Sequence, residues 1–406
     1  MSFTSRWSDV YLVAGARAVS VCGDFLAATT LALVLQQAGH GGLAVSGLMV
    51  AASLPLALLA PVAGRIADRA DSRTVLVVAG FAQAAVCLAL AFVSHPVVII
   101  ALVALLAAGL AVTQPTLAAL LPKMVRKDDL ARASGITQTA GLAGMLIAPA
   151  LAGILVGQTG ARLPLLLDAA SYLALIVAGF AVRTRRRGRR SGAAATATAW
   201  RLRNDRPLLV MVGALTAVVA GVGAINVVEV FFVRDTLGAS TTVYGFVMAA
   251  WTVGMLAGSM LFGRLRRDRI TVPGMLLLAG GTCVPVLASA AVPGAGWIVP
   301  LWIAGGVCNG GINVFTTVIV TERAPAAVRG RAFAVLSASV QGGSLFGLLA
   351  AGPLVEHFEP RVLVAALGAA GLSAALACLP AVRMRPEPPL AAAPDGDRRV
   401  RDSVAA

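Results

Sequence analysis

The sequence predicts an all-α polytopic membrane protein of about twelve spans, arranged as two pseudo-symmetric six-helix halves. Three observations carry that prediction. The first concerns solvent. Of 406 residues, 58% are hydrophobic and only 13% are charged, against roughly 25% charged in a soluble domain, so the chain cannot cover a water-facing surface. The second is segmentation, because apolar runs of roughly 20 residues, the length a helix needs to cross the hydrocarbon, recur along the whole chain. The third is charge placement. Lys and Arg gather in alternate loops and in the two tails, which is the positive-inside bias that sets orientation.

Taken in order, the spans are read at 10–36, 43–63, 74–94, 96–118, 133–157, 162–182, 208–232, 243–263, 272–292, 297–319, 331–354 and 361–381. The loops assigned inside are basic: Arg65 to Arg73, Lys123 to Lys127, Arg183 to Arg206, Arg264 to Arg269 and Arg323 to Arg331. The loops assigned outside are short and weakly charged, with Arg162, Arg234 and Arg361 among their few cations. An even number of spans puts both termini on one side, and Arg6 before the first span and Arg383, Arg385 and Arg398 after the last make that side the cytoplasm. The domain plan is a first half over 1–182, a basic cytoplasmic linker over 183–207, a second half over 208–382 and a disordered cytoplasmic tail over 383–406. Richness in Ala, Gly and Arg points to a GC-rich bacterial genome, hence to the cytoplasmic (inner) membrane of a bacterium.

The net charge of +15 does not indicate nucleic-acid binding, since no basic patch is interleaved with aromatics. The cysteines Cys22, Cys87, Cys283, Cys308 and Cys378 all fall in apolar runs, odd in number and without a CxxC. They read as buried small hydrophobes rather than a disulfide or metal framework. The three histidines, His40, His95 and His357, lie in the outer loops, so no metal site and no cofactor are expected. The first apolar run contains Arg17 and Asp24 and is followed by many more, which marks a span rather than a cleaved signal.

Between the second and third spans lies Gly64-x-x-x-Asp68-Arg69-x-x-x-Arg73. This pattern, inside a hairpin with a short basic connection, resembles the signature of the major facilitator superfamily. That resemblance implies two six-helix halves (the MFS fold) and secondary transport by alternating access, with the superfamily's latch role falling on Gly64, Asp68, Arg69 and Arg73. In this reading Gly64 makes a sharp turn, Asp68 meets the inner end of the eleventh span, and Arg69 and Arg73 position the loop. The halves also echo one another. Gln138-x-x-Gly141-Leu142-x-Gly144 recurs as Gln341-x-x-Ser344-Leu345-x-Gly347, and Gly64-Arg65 recurs as Gly263-Arg264, as parallel repeats would.

In the fifth span, Gly144-x-x-x-Ala148-Pro149-x-x-Ala152-Gly153 resembles the antiporter motif of drug exporters, with alanines at two expected glycines. A packing face with a proline bend accounts for the same residues. The fourth span lacks the arginine of drug–proton antiporters and carries Thr113-Gln114-Pro115 instead. Together with Arg17-x-x-Ser20-x-x-Gly23-Asp24, this looks more like the macrolide-efflux and enterobactin-exporter branch.

Ionisable groups inside a span are costly and therefore mark function by default. Arg17 and Asp24, nearly two turns apart, share a face of the first span. Asp24 is either a proton or substrate group or one member of a structural pair held by Arg17 or a polar neighbour. Asn226 and Glu229 share a face of the seventh span, with Glu229 either a cavity carboxylate or wet at the interface. Asp168 in the sixth span is a coupling candidate or a structural group. Gln138 is a cavity candidate, and Asn309 and Asn313, one turn apart in the tenth span, either line a cavity or bond neighbouring helices.

The reading that follows is proton-coupled efflux of a small amphipathic molecule (drug, antibiotic, siderophore or secondary metabolite) by a monomer whose partners are substrate, protons and the bilayer. An importer of the same fold is the first alternative, and a non-transporting sensor or scaffold the remote one. No paired intramembrane aspartates and no His-Glu-x-x-His appear, so an intramembrane enzyme is not expected.

Overall fold

The computed structural model describes residues 5–182, 205–324 and 328–383; within them, the side chains of 67–69, 127, 131, 330, 382 and 383 are outside the description. The described residues form helices and turns without strands. The twelve long helices are α1 (Trp7–Gln37), α2 (Gly42–Arg69), α3 (Ser72–Leu90), α4 (Pro96–Met124), α5 (Leu130–Thr159), α6 (Arg162–Ala181), α7 (Arg206–Phe231), α8 (Thr241–Phe262), α9 (Val272–Ser289), α10 (Ile298–Arg323), α11 (Arg329–His357) and α12 (Pro360–Arg383). Each is long and apolar enough to cross a membrane. Within the second half, polar caps start three of them. The Asp205 carboxylate accepts the Leu208 amide at 3.0 Å, the Ser240 hydroxyl accepts the Val243 amide at 3.2 Å, and the Thr271 hydroxyl accepts the Gly274 amide at 3.2 Å, each satisfying an amide the helix leaves open.

The helices overrun the expected spans at their charged ends. Arg65, Lys123 and Arg323 are all helical, because long cationic side chains snorkel away from an apolar stem and need no break in the backbone. This corrects the expected loop over Gly64–Arg73. Only Ala70 and Asp71 connect α2 to α3, and Gly64 lies inside α2, where it makes no turn and nothing approaches it. The glycines that do adopt the left-handed conformation are elsewhere. Gly160 (φ 74°) ends α5, Gly39 (φ 74°) follows α1, and Gly238 (φ 62°) follows the π-helical turn Phe232–Thr236 that extends α7, the last two at similar places in their halves; at all three a Cβ would be strained. The expected linker falls largely on residues 183–204 and the expected tail on 384–406, both outside the described residues; Asp205 to Pro207 already cap and begin α7.

Helix pairing repeats with an offset of six. In the first half α1 packs on α5 and α6, α4 on α2 and α3, and α3 on α6; in the second, α7 packs on α11 and α12, α10 on α8 and α9, and α9 on α12. Between the halves the major seams are α5–α8 and α2–α11, again equivalent. The sequence echo marks these crossings. A Cβ on Gly144 would collide with the backbone of Ala18 and Cys22 on α1, and one on Gly347 with that of Ala220 and Ala224 on α7. Small residues let membrane helices approach this closely, where packing drives association.

The two ends of the molecule differ. At the end carrying Gln36, Arg234 and Glu356, one apolar core runs across both halves, with Leu33, Leu48, Val228, Phe232 and Leu348 in contact. Bonds cross there too: the Gln36 amide donates to Asp235 at 2.6 Å and the Ser46 hydroxyl to the Leu348 carbonyl at 2.5 Å. At the basic end each half keeps its own core, one around Met124 and Tyr172 and the other around Met211 and Met275. Large apolar side chains such as Leu58, Phe81, Met260 and Phe346 point outward, a surface suited to lipid rather than water.

Candidate transport site

Two cavities lie along α1 and share the Phe25 side chain as a wall. The first, of about 180 Å³, is built between the halves. Met145 and Pro149 of α5 face Asn226 and Glu229 of α7, with Trp251 of α8 and Trp302 of α10 closing the side. The second, of about 360 Å³, lies among α1, α2 and α4, where Asp24, Ser53 and Gln114 are its polar members in an otherwise apolar lining.

Asp24 has a partner, but it is not Arg17. The Tyr172 hydroxyl on α6 donates to the Asp24 carboxylate at 2.5 Å. One helical turn earlier, Asp168 is fully buried; it accepts from the Ser171 hydroxyl at 3.2 Å and from the Cys87 thiol at 3.0 Å. Gly23 permits the arrangement, since a Cβ there would overlap Asp168 and Ser171. The result is one polar cluster around two carboxylates, drawn from α1, α3 and α6. Cys87 is thus more than a small hydrophobe: its thiol donates to a buried acid. Nearby on α3, Gln83 is 2% exposed with neither amide atom bonded.

Arg17 lies against Gly141 of α5, its Nε buried without a partner. The helical spacing put Arg17 and Asp24 on one face, yet the side chains go to different neighbours, α5 and α6.

On α7 the expected face is realised. Asn226 and Glu229 line the same cavity, and Glu229, 5% exposed, is the cavity carboxylate rather than an interfacial one. Trp302 lines the cavity beside it. Trp302 in turn meets Trp251 edge to face, centroids 6.2 Å apart at 72°. Asn226 stands two residues beyond Ala224, as Asp24 stands two beyond Cys22, so the crossings at Gly347 and Gly144 make Asn226 the counterpart of Asp24.

Other expected residues go elsewhere. Gln138 and Asn313 are exposed and Asn309 half-buried, and none of them lines either cavity. Gly144 and Gly153 form seams on both sides of α5, Gly153 meeting Thr241 and Gly245 of α8, while Ala148 is buried in the small core it forms with Leu26 and Ala152. Pro149 alone of that motif reaches the cavity. Arg73 stacks its guanidinium over Phe180 of α6 at 4.8 Å. The side chains of Asp68 and Arg69 lie outside those described. Sequence reasoning missed Tyr172, Phe25, Trp251 and Trp302. The four-residue spacing from Asp168 to Tyr172 was a usable signal for the first, but nothing in the chain tied the aromatics to Glu229.

A family model described as transmembrane secretion effector, of the major facilitator type, matches residues 10–396. An uncharacterized MFS-type transporter of Bacillus subtilis (strain 168), YfiS, is 24% identical over 352 residues, covering 83% of this chain and 84% of its own. Among solved structures, the nucleoside transporter NupG superposes with a TM-score of 0.74 at 13% identity, covering 93% of this chain and 100% of its own. A bacterial homologue of the human lysosomal transporter Spinster, inward-facing and unoccupied, gives 0.68 at 14%, with 94% and 95% covered. The peptide transporter POT in complex with sulfate gives 0.69 at 14%, with 92% and 94% covered.

Proposed function

We propose that this chain, which belongs to the transmembrane secretion effector family of major facilitator transporters, exports a small amphipathic organic molecule in exchange for protons. It is a transporter rather than an enzyme. The observation that carries the proposal is the pairing of two mostly apolar cavities with separate carboxylates, Asp24 in one and Glu229 in the other. An apolar lining with few polar groups suits an amphipathic cargo, and a carboxylate in a membrane span suits a proton.

In this reading the basic end faces the cytoplasm of a bacterial inner membrane, both termini lie there, and the chain works as a monomer. The bonds and shared core at the opposite end then close the outer side, leaving the halves apart on the cytoplasmic side. Rocking the halves about the α5–α8 and α2–α11 seams would carry cargo across. Asp24 takes the proton, with Tyr172 holding its carboxylate and Asp168 beside it. Asp68, with Arg69 and Arg73, acts as a latch between states; Asp68→Asn should slow transport with little change in substrate affinity, and a pure affinity effect would remove that role.

Everted membrane vesicles with an acidic interior provide the test. A panel of lipophilic antibiotics and dyes is added while internal pH is followed. Substrate-evoked alkalinisation, lost in Asp24→Asn, is expected. An importer of a small metabolite would share this fold, and protons leaving the acidic interior together with preloaded metabolite, rather than in exchange for substrate added outside, would establish it instead.

A further inference from the structure

We infer that the cavity at Glu229 recognises a positively charged organic group, so that the cargo is a small aromatic or aliphatic cation such as an amine or quaternary ammonium. The inference rests on the transport reading above and names the substrate class of its central cavity.

Charge balance is the starting point. Glu229 is 5% exposed and lines the cavity. Its neighbours in the wall, the Trp302 indole and the Asn226 amide, are neutral. No Lys or Arg lines this cavity among the described residues, and Arg17, the described cation within the α1 span, lies against α5. A buried carboxylate with no cationic partner in the protein is costly. A cationic ligand group would relieve that cost, whereas an anionic one would add to it.

The rest of the wall points the same way. Phe25, Trp251 and Trp302 present aromatic rings, whose negative faces attract cations, more strongly when water is excluded. Met145 and Met248 add polarisable, adaptable contacts for an apolar body. Asn226 supplies one neutral polar group beside the carboxylate. The aromatic wall is also held in place before any ligand arrives. Trp302 is 2% exposed and fixed by its edge-to-face contact with Trp251. Trp251 in turn lies over Gly305, where a Cβ would approach its ring to 2.8 Å. Such preorganisation lowers the cost of binding. The volume of about 180 Å³ admits a single-ring cation. A bulky polyanionic chelator fits neither the size nor the charge.

The experiment uses the full-length protein in lipid nanodiscs and two isosteres, phenyltrimethylammonium and the uncharged tert-butylbenzene, measured by equilibrium dialysis with empty nanodiscs subtracted. The cation should bind at least about tenfold tighter than its carbon isostere. Glu229→Gln should erase that preference and Glu229→Asp should keep most of it, with thermal unfolding confirming that each variant is folded. Since Glu229→Gln also alters a buried side chain, Trp251→Leu supplies a second arm: it should weaken the cation more than the isostere. Equal affinity of the two isosteres, a preference that survives Glu229→Gln, or equal weakening by Trp251→Leu would each overturn the inference. The outcome is separable from that of the vesicle assay. A cation preference without proton exchange would sink the export reading and leave this one standing. Proton exchange with uncharged amphipaths, and no cation preference, would do the reverse.

Discussion

The two halves repeat each other in backbone and differ in chemistry. Gly144 and Gly347 bring α5 onto α1 and α11 onto α7 at the same register, and Gly39 and Gly238 turn the chain after α1 and α7 alike. At the matching place on those crossed helices, however, the first half has Asp24 and the second has Asn226. The first half sets two carboxylates side by side, Asp24 bonded to a phenol and Asp168 to a hydroxyl and a thiol. The second buries one carboxylate against aromatic rings. Helix crossings depend on small residues, which duplication preserves, while the proton site and the cargo site proposed above would need unlike groups. The repeat supplies the scaffold, and the departures from it carry the function proposed above.

Making the halves alike is the strongest way to break the comparison. Asp24→Asn gives both crossed helices an amide at this place, and it should abolish proton-coupled transport in everted vesicles while the protein still inserts. Full activity would remove Asp24 from the mechanism. Next in size is packing. Gly347→Val would drive a branched side chain into the Ala220 carbonyl and should cost about 1–3 kcal/mol by overpacking, read as a lower midpoint of thermal unfolding. Gly64→Ala, in open helix, should instead be neutral or stabilising by roughly 0.5–1 kcal/mol.

Single hydrogen bonds sharpen the contrast further. Tyr172→Phe removes a donor to a carboxylate and should cost about 1 kcal/mol, while Trp302→Phe removes the indole beside Glu229. Tyr172→Phe should also slow proton-driven transport, whereas Trp302→Phe should act on cargo affinity; identical effects would dissolve the division of labour. Gln83→Leu replaces a buried amide with no bonded atom and should be neutral or slightly stabilising, unless transport falls, which would place Gln83 in the proton path. Smallest of all, Asp268→Ala removes an ion pair whose side chains are 81% and 64% exposed and should shift stability by less than about 0.5 kcal/mol.

Much of this was legible along the chain. Apolar run length located all twelve helices to within a few residues at most ends, because the hydrocarbon demands one length from every span. The Gln138 to Gly144 echo identified equivalent crossings, because close approach constrains residue size directly. The loop around Gly64 was misread for a physical reason: charge marks where a helix leaves the hydrocarbon, not where it stops being helical, and α2 runs on to Arg69. Asp24 and Glu229 stood out as ionisable groups in apolar runs, the costliest and so the most visible kind of signal. Asn309, Asn313 and Gln138 gave a weaker signal, since amides at helix surfaces have many uses, and they line neither cavity.

By itself, then, the chain determined its solvent, its number of crossings, their repetition in two halves and the acids buried among them. Those properties follow from local composition and from spacing within one helix. Tertiary structure alone decided that Asp24 turns to Tyr172 rather than to Arg17, that Cys87 serves Asp168, and that Glu229 meets Trp302 across α7 and α10. Each of those pairs joins residues on different helices. Which helix faces which is set by the packing of many small side chains at once, and no single stretch of sequence carries that information.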